Sequence, residues 1–402
     1  MDVLAAVCAR QLRLPKAFSV APALRCAVLM ALAATCGASW SWGKAGAMSP
    51  LVMVAWWRAE TRLEALLVGA AYQLGATAGL LSAAALWLDV PGAQAGLLIM
   101  GVATAVGACW ALVIPARCSA KLAPVAVLVW AAVTVLPLGA GAWMPGHPLV
   151  AAGFWCPGAG WAGLVVMLGV FVAARTRVGA SVMLLWALAA VMFGVAPRRA
   201  PGVGVVDTES EPSQGEFDFL GQFNVAREAL ARAELDQAHV LVLPEGAAGT
   251  WSESMQQFWA PYSARLAREG RSALVGAVLQ DEGGQLENVV VGLGRADGRV
   301  VRQRLPIPVA MWRPWAADGF VAAPWDAGVL ELGGLRAGIL ICWEGALVWP
   351  ALRSMAAGAD ALVLVANHGW TGPRVETRRG LEAWGALFGV PVAMAENVWR
   401  AQ

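Results

Sequence analysis

Cys342 and Glu245 are the residues of this chain whose types and settings could do covalent chemistry. Cys342 stands in Gly338-Ile339-Leu340-Ile341-Cys342-Trp343-Glu344, and Glu245 in Leu243-Pro244-Glu245-Gly246. The other six cysteines (Cys8, Cys26, Cys36, Cys109, Cys118 and Cys156) all precede residue 200, so Cys342 has no cysteine in its own half of the chain to pair with. It is either an inert core thiol or a nucleophile. A cysteine nucleophile needs a base to take its proton during attack and an acid to return that proton to the leaving group, and one carboxylate can serve both steps.

Both residues follow apolar runs of strand length. Residues 337–341 and 239–243 read as buried strands, which puts Cys342 and Glu245 at strand C-termini, where open α/β sheets hold their chemistry. His368 offers an alternative base, since a Cys-His pair in this half would rest on it once His239 is assigned to a strand. No grouping of Cys, His and acids has metal-ligand spacing, so neither a metal nor a cofactor is expected. Gly283-Gly284 and Gly333-Gly334 follow acidic residues and precede strands; they read as turns, not phosphate loops.

These motifs resemble those of the carbon-nitrogen hydrolase (nitrilase-like) superfamily, and within it the membrane-embedded apolipoprotein N-acyltransferases. The family pattern is a Glu after a strand, a Lys in a K-x-x-L motif, and a Cys in I-C-[YW]-E. Glu245 matches the first and Cys342 with Trp343 and Glu344 the last, while Asn367-His368-Gly369-Trp370-Thr371-Gly372 resembles the family's Asn-x-x-Trp-Phe-Gly loop. The chain departs from the pattern at the cation: no lysine occurs from 201 to 402. Val301-Arg302-Gln303-Arg304-Leu305-Pro306 takes the place of that motif, and alignment on Leu305 puts Arg302 at the lysine position, with Arg304 the alternative. A guanidinium can neutralise an oxyanion, though its fork is more demanding than an ammonium. The resemblance thus implies catalytic Glu245, Arg302 (or Arg304) and Cys342, supported by Glu344, Asn367, Trp343 and Trp370. Glu344 is expected to orient the cleft.

Composition sets this site beside a membrane. Hydrophobic residues are 59% of the 402, and mean hydropathy is +0.61, outside the range of ordinary soluble chains. Residues 1–200 carry 13 Lys/Arg against 4 Asp/Glu, and residues 201–402 carry 16 against 23. The expected organisation is a polytopic helical membrane domain (1–200) followed by an α/β domain (201–402), which the resemblance makes a nitrilase-like α-β-β-α sandwich. Seven spans are expected at about 18–38, 47–58, 63–86, 92–115, 121–139, 151–174 and 178–196, the second being short. No span is expected to hold paired buried ionisable residues, which argues against a transporter.

Seven crossings put Arg10, Arg13 and Lys16 and the loops with Arg58/Arg62, Arg117/Lys121 and Arg175/Arg177 on one side, with Lys44 and Arg198/Arg199 as exceptions. That bias predicts a multi-pass inner-membrane protein with a cytoplasmic N-terminus and a periplasmic C-terminal domain. The related acyltransferases end in a further membrane helix; residues 387–395 form only a strand-length run, so the α/β domain is expected to be tethered at one end. Strands are expected at 202–206, 239–243, 272–279, 287–293, 337–342 and 361–366, and helices near 219–235, 252–269, 347–357 and 375–388.

The resemblance implies transfer of a phospholipid acyl chain through an S-acyl-enzyme to an amine, such as a lipoprotein or other protein N-terminus. The chain is also similar to membrane components of plasmid conjugal transfer, which implies conjugation machinery as a partner and leaves a second reading open: an acyltransferase-like scaffold without chemistry. Direct nucleic-acid binding is not expected, given the acidic balance of the C-terminal half. Trp312, Trp315, Trp343 and Trp370, with Arg302, Arg304 and Arg313, suit a mouth facing membrane lipids, or simply packing.

Overall fold

The structure, a computed structural model, describes residues 20–80, 84–85, 88, 90–112, 118–137, 139–210, 219–280, 283–316, 318–368 and 375–398. Arg10, Arg13, Lys16, Asp89, Arg117 and Trp370 lie outside them. The helical half runs through α1 (Val20–Ala38), a 3₁₀ segment (Gly43–Leu51) continuous with α2 (Val52–Arg58), α3 (Arg62–Ala76), α4 (Gly92–Trp110), α5 (Ala123–Val135), α6 (Ala152–Trp155), α7 (Gly160–Ala173) and α8 (Arg177–Phe193).

Two helices among the described residues, Pro22–Ser41 and Gly92–Trp110, are long and apolar enough to cross a membrane, and the protein is membrane-associated on that ground. Pro148–Trp155 with Gly160–Ala173 forms a third candidate bent by 118°. The other expected spans take different forms. The segment expected at 47–58 is a 3₁₀ stretch and a short α-helix whose Val52, Met53, Ala55 and Trp56 are fully buried. At the rises of 3₁₀ and α geometry it covers about 28 Å. Its ends confirm that reach: Lys44 donates to the Gly194 carbonyl (2.8 Å) beyond one end of α8, and Arg58 donates to the Arg175 carbonyl (3.1 Å) before the other.

Arg175 in turn donates to the carbonyl of Cys118 (3.0 Å), so the loops at 58–62, 118–122 and 174–177 meet at one end of the helical half. Close by, Arg25 of α1 pairs with Glu60 and with the buried Glu64 of α3 (2.5 Å to Glu64). Of these three only Glu64 is buried, so the set is an ion pair at the rim of the helices.

The α/β half attaches at the opposite end. One sheet has the order β1 (Val203–Val205), β2 (Val240–Val242), β3 (Ser272–Gln280), β4 (Leu286–Gly294), β5 (Val300–Arg302), parallel through β3 and antiparallel beyond. The second has β6 (Val329–Leu332) antiparallel to β7 (Leu335–Ile341), then β8 (Ala361–Asn367) and β9 (Val392–Asn397) in parallel. Strand alternation sorts the side chains into layers. Val240, Val242, Leu274 and Val290 meet Ile339, Ile341, Val363 and Val365 between the sheets. Leu241, Ala273, Val275 and Val291 face the other way, onto α9 (Phe219–Ala233) and α10 (Glu253–Arg268). Leu340, Leu362 and Leu364 face α11 (Trp349–Ala356) and α12 (Val375–Phe388). The α/β half is therefore an α-β-β-α sandwich by its own packing.

The outer helices do not end the structure. Leu381, Trp384 and Leu387 of α12 share one core with Trp40, Val150, Trp155 and Met167 of the helical half. Main-chain contacts reinforce the junction, with Gly146 N–H donating to the Ala346 carbonyl (3.1 Å) and Gly158 N–H to that of Ala386 (2.7 Å). The α/β half is thus docked along a face of the helical half.

Candidate active site

Glu245 sits just beyond β2, and Gly276 of β3 makes room for it: a Cβ there would come within 2.4 Å of the Glu245 Cα. Its carboxylate accepts from Asn288 Nδ2 (2.6 Å) on one oxygen and from the Asn367 N–H (2.9 Å) on the other, and the thiol of Cys342 lies close enough for each group to shift the other's titration. The ends of β2, β4, β7 and β8 thus converge on one carboxylate, and the two residues expected to do the chemistry are brought together.

Cys342 adopts a positive φ of 53°, uncommon for a residue with a side chain, at the turn where β7 passes into the 3₁₀ segment Cys342–Ala346. Burial is the largest influence on both groups. It pushes the Cys342 thiol well above its ordinary range, helped by the Glu245 charge and hydrogen bond, with the backbone N–H groups of Asn367 and Trp343 opposing. It also raises the Glu245 carboxyl, against the bonds from Cys342, Asn288 and Asn367. Burial thus favours the protonated form of both groups, so any attack by the sulfur would require its proton to move.

Neither arginine stands where the lysine alignment expects it. Arg302 on β5 is half-exposed and pairs with Glu287 across the sheet (2.9 Å). Arg304 is fully buried: it donates to Glu344 (3.0 Å), to the Pro350 carbonyl (2.9 Å), to Ser354 (2.8 Å) and to the Ile339 carbonyl. Glu344 also accepts from the backbone N–H groups of Arg304 (2.6 Å), Leu305 (3.1 Å) and Ile341 (3.0 Å), so it pins the loop after β5 to the end of β7.

The side chain between the two arginines does reach the site. Gln303, buried, accepts from Asn288 Nδ2 (3.1 Å) and donates to the Ile341 carbonyl (3.2 Å), so two amides link the base to the residue preceding the nucleophile. Sequence reasoning missed Asn288 and Gln303. Strand parity could have found Gln303: with Val301 in the core between the sheets, Arg302 must face away and residue 303 inward.

Cys342 and Trp343 line a cavity of about 140 Å³ between the two halves of the molecule. Leu80, Leu98, Ile99 and Val102 wall it on the helical side; Ile307, Pro308 and Ala310 form part of the other wall, where the neighbouring Val309 carries a positive φ of 67°. His368 and Thr377 also line it. His368 bonds Glu396 through Nδ1 (3.1 Å) and Thr377 through Nε2 (3.3 Å). Trp312 lies in the loop beside this wall, and Trp315 is 72% exposed. No set of three or more His, Cys, Asp or Glu among the described residues is placed to hold a metal.

Among solved structures, the fold is similar to a carbon-nitrogen hydrolase from Helicobacter pylori (16% identity, TM-score 0.35, covering 48% of this chain and 72% of that one). It is also similar to an amidase of the nitrilase superfamily from Nesterenkonia (17%, TM-score 0.33, covering 51% and 79%). At such scores the likeness is slight, and the layer order above rests on the packing itself. No protein-family model matches the sequence. Two relatives match nearly end to end: the conjugal transfer protein TraB of Agrobacterium fabrum, 31% identical over 93% of both chains, and a probable TraB of Sinorhizobium fredii, 30% identical over 86% of this chain and 90% of that one. The protein that carries this Glu245-Cys342 pair beneath a helical membrane half belongs to the TraB family of conjugal transfer proteins.

Proposed function

We propose that the protein is a multi-pass inner-membrane, cysteine-dependent acyltransferase of a conjugal transfer system, with its α/β half in the periplasm. The observation that carries the chemistry is the meeting of Glu245 and Cys342 at neighbouring strand ends, with Cys342 on the wall of an apolar cavity. Cys342 Sγ attacks a donor ester carbonyl, taken to be that of a phospholipid, as Glu245 accepts the thiol proton; Glu245 then protonates the departing oxygen and a thioester remains. An amine, such as a lipoprotein or other protein N-terminus, resolves the thioester into an amide. The Trp343 N–H beside the sulfur is the candidate oxyanion donor in place of Arg302 or Arg304. The orientation is supported by three basic loops gathered at the end away from the α/β half.

Incubating the full-length protein with phospholipid in detergent and measuring intact mass tests the chemistry. A fatty-acyl adduct on wild type that is absent from Cys342→Ala is expected; no adduct, together with undiminished plasmid transfer by Cys342→Ala cells, would overturn it. An alternative reading, a docking scaffold for conjugation machinery, is favoured by one observation: both arginines near the lysine position are bound to other carboxylates. For topology, a reporter active only outside the cytoplasm should work after residue 402 and fail at 118.

A further inference from the structure

A second row of proton-carrying groups lies on the cavity that Cys342 lines. Thr377, near the start of α12, is hydrogen-bonded at 3.3 Å to His368 Nε2; His368 Nδ1 is 3.1 Å from Glu396 Oε2 on β9; and the other Glu396 oxygen takes the guanidinium of Arg378. Hydroxyl, imidazole and carboxylate stand in line. His368 is 2% exposed and Thr377 6%, and both face the cavity. The placement has a backbone cause: a Cβ on Gly380 would lie 2.0 Å from the Gly345 carbonyl oxygen, and one on Gly345 2.8 Å from that of Thr377, so α12 is laid directly against the segment that follows Cys342.

A buried histidine is more often a packing device than a base. Three features set this one apart. With a carboxylate on Nδ1, the ring proton belongs there and Nε2 is left to accept from the Thr377 hydroxyl. Glu396 is held ionised, its carboxyl lowered first by the His368 hydrogen bond and also by Arg378, so it can stabilise an imidazolium. Glu245, meanwhile, has both oxygens engaged by Asn288 and Asn367 in addition to Cys342.

We infer that Thr377, His368 and Glu396 form a second proton-transfer site, which deprotonates an amine entering the cavity while Glu245 serves the thiol. The inference rests on the acyl-transfer reading for its acceptor. In the step, the amine nitrogen attacks the thioester carbonyl, the C–N bond forms and the C–S bond breaks. The amine proton passes to Thr377 Oγ1 as the threonine's own proton moves to His368 Nε2. Cys342 leaves as thiolate and recovers its proton from the imidazolium through solvent or Glu245, so charge and protons balance.

The test uses full-length protein in detergent with 4-nitrophenyl hexanoate as donor and n-butylamine as acceptor, following the nitrophenolate burst and the amide product across pH. The charged and titratable groups facing His368 are Glu396, Arg378 and, behind them, Asp207, with Glu245 and Cys342 across the site and Glu376 on the cavity wall. His368→Gln should keep the burst rate within about twofold, slow amide formation about tenfold or more, and remove one limb of its pH profile. Thr377→Val should act alike and Thr377→Ser should restore transfer. Burst and transfer falling by one common factor, or an unchanged pH profile, would overturn the second site. A fluorophosphonate probe on Cys342→Ala protein separates this from the acyl-transfer reading. If wild type gives no burst, an adduct at Thr377 that vanishes in His368→Gln upholds the row alone, and no adduct overturns both.

Discussion

Two glutamates near the end of β7 differ in everything except residue type. Glu344 is fully buried and saturated, by three backbone N–H groups and the Arg304 guanidinium. Glu245 accepts from one side-chain amide and one backbone N–H and has the Cys342 thiol beside it. The first is a charge neutralised in place, which holds the loop after β5; the second is a carboxyl raised by burial and ready to exchange a proton. Arg304, the cation buried against Glu344, serves architecture. A motif that sets Cys and Glu two residues apart therefore does not say which glutamate reacts; the donors around each do.

Removing Glu344 should have the largest effect. Glu344→Ala strands the buried guanidinium of Arg304 and should cost about 3–5 kcal/mol, seen as a lower thermal midpoint in detergent. The double change Arg304→Met with Glu344→Leu should recover part of that loss; no recovery would mean that the backbone bonds, not the charge, matter. Glu245→Gln should invert the pattern. Its thermal midpoint should stay near wild type, while alkylation of Cys342 by iodoacetamide slows about a hundredfold for want of a base.

Acid titration sharpens the contrast further. The Glu245 carboxyl is raised from its ordinary 4.5, so the folded state holds its proton longer than the unfolded chain, and stability declines as pH rises from about 4.5 through the raised value. Glu396 is lowered from 4.5, so its contribution is complete above that value and is lost as pH falls through the lowered one. In pH-dependent unfolding, Glu245→Gln should flatten the first slope and Glu396→Gln the second; exchanged effects would refute both assignments. Smallest of all is Arg302→Ala. Its half-exposed pair with Glu287 should be worth less than about 1 kcal/mol, and Cys342 alkylation should be unchanged. A tenfold drop would return Arg302 to the site.

Much of this was legible in the sequence, and the omissions have physical causes. β2, β3, β4, β7 and β8 lie where apolar runs predict, as do α9 to α12, because each buries a continuous stripe. β5 and β6 escaped notice: at three and four residues, carrying Arg302 and Glu331, they take strand form from their neighbours. The run at 387–395 was noted only as strand-length; Leu387 and Phe388 finish α12 as the expected helix at 375–388 has it, Gly389 turns the chain at a φ of 68°, and β9 starts at Val392. Hydropathy marked the helical half but not its kinks, since an apolar run looks the same straight, bent at 156–159 or wound as 3₁₀. Glu245 and Cys342 were readable from strand ends. Gln303 was open to strand parity, but Asn288 was not, because its amide acquires meaning only from what it touches.

The junction between the halves sets a height. At Gly153 of α6, a Cβ would fall 1.8 Å from the carbonyl oxygen of Ala383 in α12, so main chain rests on main chain with no compressible side chain between. Such a contact works as a fixed stop. The sulfur of Cys342 is held at one level above the helices, and under the proposed acyl transfer a donor anchored by its tail would present its bonds at levels set by its own length. Selection among donors would then be a matter of vertical registration: a bond one or two methylenes too deep would never meet the thiol, however well its head was bound.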